Sequence, residues 1–235
     1  MPTIIDLKQD LKKLADPKRA KVSAWFFKTK PGQYGHGDIF IGLTVPQQRQ
    51  VARQYPDLSL ADVKQLLKDK IHEFRLVGLL ILVDQFNHAD AANQKAIYTF
   101  YLKNVTRVNN WDLVDLSAPN IVGQYLLNKN RAVLYSLAKS KNLWARRVSI
   151  VATYAFIKQG QLTDTFKLAK LLFTDNHDLI HKATGWMLRE AGKKNQKALE
   201  KFLNRQAIQM PRTALRYAIE RLPENKRLFY LKKRS

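Results

Sequence analysis

Glu73-Phe74-Arg75-Leu76-Val77-Gly78 is a short stretch whose frame returns along the chain. It reappears as Ala145-Arg146-Arg147-Val148-Ser149 and as Ile180-His181-Lys182-Ala183-Thr184-Gly185. Pro211-Arg212-Thr213-Ala214-Leu215 is a fainter fourth copy. Aligned on Val77, Val148, Ala183 and Ala214, the copies stand 71, 35 and 31 residues apart. The first interval is about twice the second, so a further unit is expected near residue 112. A helix pair recurring at such a period marks an α-solenoid of HEAT-like type. One pair cannot bury its apolar face alone, so neighbouring pairs stack. The competing arrangement is an ordinary helical bundle, whose core also repeats Leu and Ala.

Helical periodicity extends outward from the repeat almost end to end. Ile4, Ile5, Leu7, Leu11 and Leu14 mark a short amphipathic helix stopped by Asp16-Pro17, and a second runs over 18–28. Further helices are expected over 46–55, 60–68, 72–86, 91–103, 111–126, 130–139, 143–158, 162–173, 177–191, 195–206, 211–221 and 225–231. The joints are short and polar, such as Asn87-His88-Ala89-Asp90. One irregular segment stands out, Lys30-Pro31-Gly32-Gln33-Tyr34-Gly35-His36-Gly37-Asp38, with three of the nine glycines. Ile39 to Leu43 is a short ambiguous run, and no hairpin pattern appears. The expected class is all-α, one HEAT-like domain over 1–235. It would comprise N-terminal helices and a loop over 1–45, repeats over about 46–222, and a basic C-terminal tail over 223–235.

Composition narrows the partner. Lys and Arg number 41 against 19 Asp and Glu, a formal charge of +22. Such an excess attracts nucleic acid or an anionic surface. Arg147 and Lys182 immediately precede the small residue of their repeats, and Arg75 lies close to its own. In a stack these positions align on one face, giving a concave basic groove sized for a nucleic-acid backbone. Cysteine is absent, so there is no disulfide framework, thiol nucleophile or zinc–thiolate site. The N-terminus lacks a signal-peptide core. The longest apolar run, Leu76 to Val83, is too short to span a bilayer. These features lead to the expectation of a cytoplasmic, nucleoid-associated protein that works as a monomer.

The middle unit holds the chemistry-bearing stretch, Asn109-Asn110-Trp111-Asp112-Leu113-Val114-Asp115. Positions four apart share a helix face, so Trp111 and Asp115 look out together. Asp112 reads as a first-turn carboxylate favoured by the helix dipole behind an Asn cap at 109 or 110. Asp115 lies too deep in the helix for that. It is either a carboxylate facing the polyanion or half of a buried ion pair, with Arg147 as the candidate cation. Gly185 inside a helix costs roughly 1 kcal/mol relative to Ala, so it signals close approach of backbone or ligand. Trp144 reads as core. His36, His72, His88, His177 and His181 show no metal-ligand spacing. GxGxxG, Walker A and GxSxG are absent, so neither a metal nor a nucleotide cofactor is expected.

Trp111-Asp112-Leu113-Val114-Asp115, Trp144-Ala145-Arg146-Arg147 and Gly185-Trp186-Met187-Leu188-Arg189-Glu190, in this order, resemble the AlkD family of DNA alkylation repair glycosylases. That family is built of HEAT-like repeats, in agreement with the period. The resemblance implies excision of positively charged N3- and N7-alkylated purines, such as 3-methyladenine and 7-methylguanine, from double-stranded DNA. It implies that Trp111, Asp115 and Trp186 line the catalytic site and that Arg147 holds the backbone beside the lesion. Arg146, Lys182, Arg75, Tyr34, Thr44 and Lys28 are further DNA-contact candidates. Loop 30–38, with Tyr34 and His36, is longer than in the best-known pattern. Thr44 stands where a larger polar residue can occur. The second helix stays basic through Lys18, Arg19, Lys21 and Lys28.

The chemistry follows from charge. A purine alkylated at N3 or N7 is cationic and leaves readily, and its departure builds positive charge on the sugar. A carboxylate stabilises that charge and orients water. Trp faces favour the same cation, by about 0.5–2 kcal/mol each. Asp115 then opposes DNA in the ground state and helps in the transition state. No lysine is assigned as a Schiff-base nucleophile, so strand cleavage is not expected. The alternative is a non-catalytic basic module that binds nucleic acid or an acidic protein, in which Asp115 is structural.

Overall fold

The computed structural model describes residues 3–233. Fifteen α-helices occur among them: α1 Ile4–Lys13, α2 Pro17–Phe26, α3 Val45–Ala52, α4 Leu60–Leu67, α5 His72–His88, α6 Ala91–Lys103, α7 Trp111–Ser117, α8 Ala132–Ala138, α9 Leu143–Val151, α10 Tyr154–Lys158, α11 Thr163–Leu171, α12 Asp178–Lys194, α13 Gln196–Gln206, α14 Arg212–Ile219 and α15 Glu224–Lys232. No strand occurs among the described residues; Ile39 makes only an isolated parallel bridge to Ile71. The architecture is all-α, as the periodicity predicts. Polar caps start the helices where the sequence supplies them. Thr3 forms a capping box with Asp6, Thr44 with Gln47, and Asn142 accepts from the Trp144 and Ala145 amides. The basic C-terminal segment folds as α15, whose Tyr230 is buried with its hydroxyl 3.0 Å from Asn204 Oδ1. Arg234 and Ser235, the last of the expected tail, lie outside the described residues.

Contacts divide the chain into two compact units, Met1–Ser117 and Ala118–Ser235. In the first, α3, α4 and α7 pack on α5. That helix is buried on all sides over 72–82, with Val77, Leu79 and Leu82 fully enclosed. In the second, α8 packs on α9 and α11 on α12, while α9, α12 and α14 lie side by side. The repeated small residues occupy these inner helices. Val77 sits on α5, Val148 on α9, Ala183 on α12 and Ala214 on α14, all at 0–1% exposure. The copy expected near residue 112 is α7.

Two expected helices break. The run over 111–126 ends at Ser117 and re-forms as a π-helical turn over Pro119–Gly123. Pro119 has no N–H to donate, Ser117 Oγ donates back to the Leu113 carbonyl at 2.5 Å, and the Gly123 amide reaches five residues back to Ala118. The run over 143–158 divides at Ala152-Thr153, where Thr153 Oγ1 donates to the Ile150 carbonyl at 2.6 Å. The two breaks meet. A Cβ on Gly123 would lie 2.3 Å from the Ala152 carbonyl oxygen, so the close approach requires glycine.

Candidate active site

The first turn of α7 is built from two ends of the first unit. Asn110 takes the cap position: its carbonyl accepts from the Val114 amide and its side-chain oxygen from the Trp111 amide at 2.8 Å. Trp111 opens the helix half-buried. Its ring stacks on Phe27, centroids 5.2 Å apart at 15°, and meets Phe26 edge-on at 5.9 Å. Phe27 continues the stack onto Phe40 at 4.9 Å. The indole is therefore fixed by the residue that follows α2.

The two carboxylates of this helix have different surroundings. Asp112 Oδ2 lies 2.7 Å from His72 Nε2, and Asp112 Oδ1 accepts from the Leu113 amide. Its place in the first turn agrees with the helix-dipole reading, but its main partner is an imidazole 40 residues earlier. Asp115 lies half-buried between the enclosed Val114 and the half-buried Leu116. Its charge helps hold the buried Tyr101 hydroxyl protonated, after the larger effect of burial. Tyr101 exchanges a 2.9 Å hydrogen bond with Ser117 of the same helix.

Behind Asp112 lies a buried charge cluster. Arg75 Nη2 is 2.6 Å from Asp38 Oδ2 and 3.3 Å from His72 Nδ1, and Arg75 Nη1 donates to the Asp69 and Lys70 carbonyls. Asn110 Nδ2 donates to Asp38 at 3.3 Å. Burial works against the Asp38 charge, but the hydrogen bond from His72 and the Arg75 guanidinium outweigh it and hold the carboxyl below its ordinary range. His72 is pushed down by burial and up more strongly by Asp112 and Asp38, and lies above its ordinary value. Glu73 stabilises the adjoining chain, its Oε1 accepting from the Ile41, Gly42 and Leu43 amides at 3.1, 2.8 and 3.3 Å. The ambiguous run over 39–43 is thus non-helical backbone moored to α5.

The remaining expected site residues divide between solvent and interior. Trp186 on α12 is half-buried, 6.0 Å from the Tyr154 ring at a tilt of 37°. Gly185 beside it resolves toward packing: a Cβ there would lie 2.4 Å from the Ala214 carbonyl oxygen. Trp144 is core at 6% exposure. Arg75 faces inward at 3% exposure rather than toward a ligand. Arg146 is engaged by Asp175 at 2.6 Å and by the Ser140 and Lys141 carbonyls. Arg147 is buried and donates to the Leu179 carbonyl at 2.6 Å. Lys182 pairs with Asp178 at 2.8 Å along its helix. Thr44 caps α3, and the Tyr34 hydroxyl reaches the Phe26 carbonyl at 3.5 Å. Lys28 is exposed at φ 56°, its ammonium 5.2 Å from the Trp25 ring centre.

A family model described as DNA alkylation repair enzyme matches residues 7–222. The chain belongs to that family. As a DNA alkylation repair enzyme, it has DNA as its substrate. The chain is similar in structure to a protein titled "Predicted DNA alkylation repair enzyme from Enterococcus faecalis". The likeness has a TM-score of 0.68 at 17% identity, covering 89% of this chain and 97% of that one. It shows a shared helical-repeat fold. No curated protein matches.

On α2 the structure displays an exposed apolar edge that sequence reading missed. The helix has no buried residue, and it exposes Val22, Trp25 and Phe26 at 63, 68 and 53% beside Lys18, Arg19 and Lys21. The signal was present in the i, i+3, i+4 spacing of the three apolar residues. Reading the helix for charge alone passed over it. His72 and Asp38 left no such trace, because their partner on α7 is distant in sequence. Among the described residues, no group of three or more His, Cys, Asp or Glu side chains is suited to a metal ion, and no helix is long and apolar enough to cross a membrane.

Proposed function

We propose that this repair enzyme is a monofunctional DNA glycosylase. It hydrolyses the N-glycosidic bond of cationic N3- and N7-alkylated purines in duplex DNA. The observation that carries the reading is the pairing of an indole and a carboxylate on one face of α7. Asp115 lies half-buried one turn beyond Trp111 on the same helix face, and Phe27 and Phe26 brace that indole. Membership of an alkylation repair family supplies DNA as the substrate and supports alkylated bases as the target.

The C1′–N bond breaks with its electron pair going to the purine, which departs neutral. The positive charge left on the sugar is stabilised by the Asp115 carboxylate. Water then bonds to C1′ and gives up a proton, for which Asp115 is the acceptor. The face of Trp111 favours the cationic base over its neutral parent, and the resemblance gives Trp186 the same part. The resemblance gives Arg147 the phosphate beside the lesion, although in the free protein its buried guanidinium donates to the Leu179 carbonyl, and Lys182 is a further contact. The exposed cations of α2 and Lys28 contribute more to backbone affinity than Arg75 or Arg146, whose guanidiniums hold protein acceptors. Val22, Trp25 and Phe26 supply an apolar edge to that helix.

The test is incubation with methylated duplex DNA and identification of released bases by mass spectrometry. Wild type is expected to free 7-methylguanine or 3-methyladenine. Asp115→Asn is expected to slow release by about a hundredfold or more while DNA binding changes little, the size typical of removing one transition-state charge contact. If saturating wild-type protein frees no alkylated base, the glycosylase reading fails and a DNA-binding module without chemistry remains.

A further inference from the structure

The His72 cluster does more than fill the core beneath α7. The imidazole is the first residue of α5 and its side chain is 2% exposed. It reaches the catalytic turn by three routes. Its Nε2 holds Asp112, the residue after Trp111, at 2.7 Å. Its ring lies against Phe27 at 5.0 Å, which itself stacks on Trp111. Its Nδ1 lies 3.4 Å from Asp38, which accepts from Asn110, the residue before Trp111. One side chain thus meets Asp112 itself and the partners of Asn110 and Trp111.

The charge of that side chain decides how it holds them. The groups facing it are Asp112 from α7, Asp38 from the end of loop 30–38, and Arg75 from its own helix. Glu73 follows it in sequence, directed at the 41–43 amides. Phe27 and Phe40 cover the ring without adding charge. Two carboxylates against one guanidinium leave one negative charge, which an imidazolium cancels. The imidazolium also has two N–H donors, one for each carboxylate, whereas the neutral ring has one. When neutral, the ring keeps its proton toward Asp112, and Nδ1 becomes an acceptor for Arg75 at 3.3 Å. The Asp112 contact then loses its ionic partner, and the turn carrying Trp111 is held by a weaker bond.

We propose that His72 is a positioning residue of this enzyme: as an imidazolium bridging Asp112 and Asp38, it fixes the first turn of α7 and so aims Trp111 and Asp115 at the lesion. The inference rests on the glycosylase reading. It makes base release depend on a group that does not touch DNA. Alkaline conditions neutralise His72 and loosen the turn, so the rate falls on an alkaline limb while lesion binding changes little.

The experiment uses the full chain with duplex DNA carrying 7-methylguanine. Single-turnover rates and equilibrium binding are measured from about pH 5.5 to 9, the range that brackets histidine titration. Wild type, His72→Gln and Asp112→Asn are compared. Histidine resonances are followed in parallel by NMR, with His72 assigned by its absence from His72→Gln. The wild-type His72 midpoint is expected above that of an exposed histidine and to coincide with the alkaline limb. His72→Gln is expected to lose about tenfold or more in rate, as misaligned catalytic groups do, with binding within about twofold and the limb abolished. Asp112→Asn keeps the shape and removes the charge. It is expected to move the NMR midpoint and the limb down together, and it carries the test should His72→Gln fail to fold. A His72→Gln protein with an unchanged limb, or an Asp112→Asn protein whose NMR midpoint moves without the limb, overturns the inference alone. An inactive wild type overturns the glycosylase reading as well.

Discussion

At the scale of single residues, carboxylates set the order of this molecule. Glu73 shows the structural kind. It is 1% exposed and receives three backbone amides from 41–43. Glu73→Ala would orphan those donors in the interior, at about 1–3 kcal/mol for each that water cannot reach. A loss of at least about 3 kcal/mol in urea unfolding is expected, with Glu73→Gln milder because it keeps an acceptor. His72 adds a pH-dependent contribution. Its folded value is raised above the ordinary 6.5 by Asp112 and Asp38 against the opposing effect of burial. The stabilisation is therefore fully present below pH 6.5 and fades as pH rises through the folded value. Wild type is expected to lose unfolding free energy across that window relative to His72→Gln, whose curve lacks the component. Sequence spacing exposed the Trp111–Asp115 face because both lie on one helix turn. It did not expose the Asp112–His72 or Arg75–Asp38 pairs. Their partners lie 40 and 37 residues apart in sequence, and no local pattern records which buried charges meet.

At the scale of elements, periodicity located nearly every helix, and the exceptions have a common cause. The helices expected over 111–126 and 143–158 are apolar enough to continue, but Pro119 and the back-bonding hydroxyls of Ser117 and Thr153 interrupt them where the two segments pack together. Gly123 lies against the Ala152 carbonyl, and the pattern of one helix does not reveal what its neighbour presses upon. Gly185 is the same device between α12 and α14. Alanine there would gain about 1 kcal/mol of helix propensity. Its Cβ would however sit 2.4 Å from the Ala214 carbonyl and 2.5 Å from Tyr217 Cβ. Overpacking costs about 1–3 kcal/mol or more where backbone must move, so the clash outweighs the propensity. Gly185→Ala is expected to lower the melting temperature, and no change on melting would show that α12 and α14 separate freely. The α2 helix shows the opposite condition, since none of its residues is fully buried. The double variant Trp25→Ala and Phe26→Ala is expected to leave the melting temperature nearly unchanged while weakening duplex DNA binding. Equal affinity by fluorescence anisotropy would remove α2 from the interface.

At the scale of the whole molecule, charge is the dominant property, and its contribution to binding is separable from the chemistry. An excess of +22 repels itself in the free protein and is relieved when phosphates replace bulk anions. Neutralising each phosphate releases counterions, so log K falls with log salt at a slope of about −0.9 per contact on duplex DNA. Not every cation takes part: Arg75, Arg146 and Arg131 are engaged by Asp38, Asp175 and Asp164. Lys18, Arg19, Lys21 and Lys28 are exposed and flank the apolar edge of α2. Replacing all four by Gln is therefore expected to flatten the salt slope by up to about 3.6, four contacts at that value. The Asp115→Asn protein should show the wild-type slope, because a carboxylate at the lesion neutralises no phosphate. The two variants divide affinity from catalysis. A four-cation variant that binds weakly at physiological salt should regain wild-type base release once saturated at low salt. A rate that stays low at saturation would instead place these cations in the catalytic step.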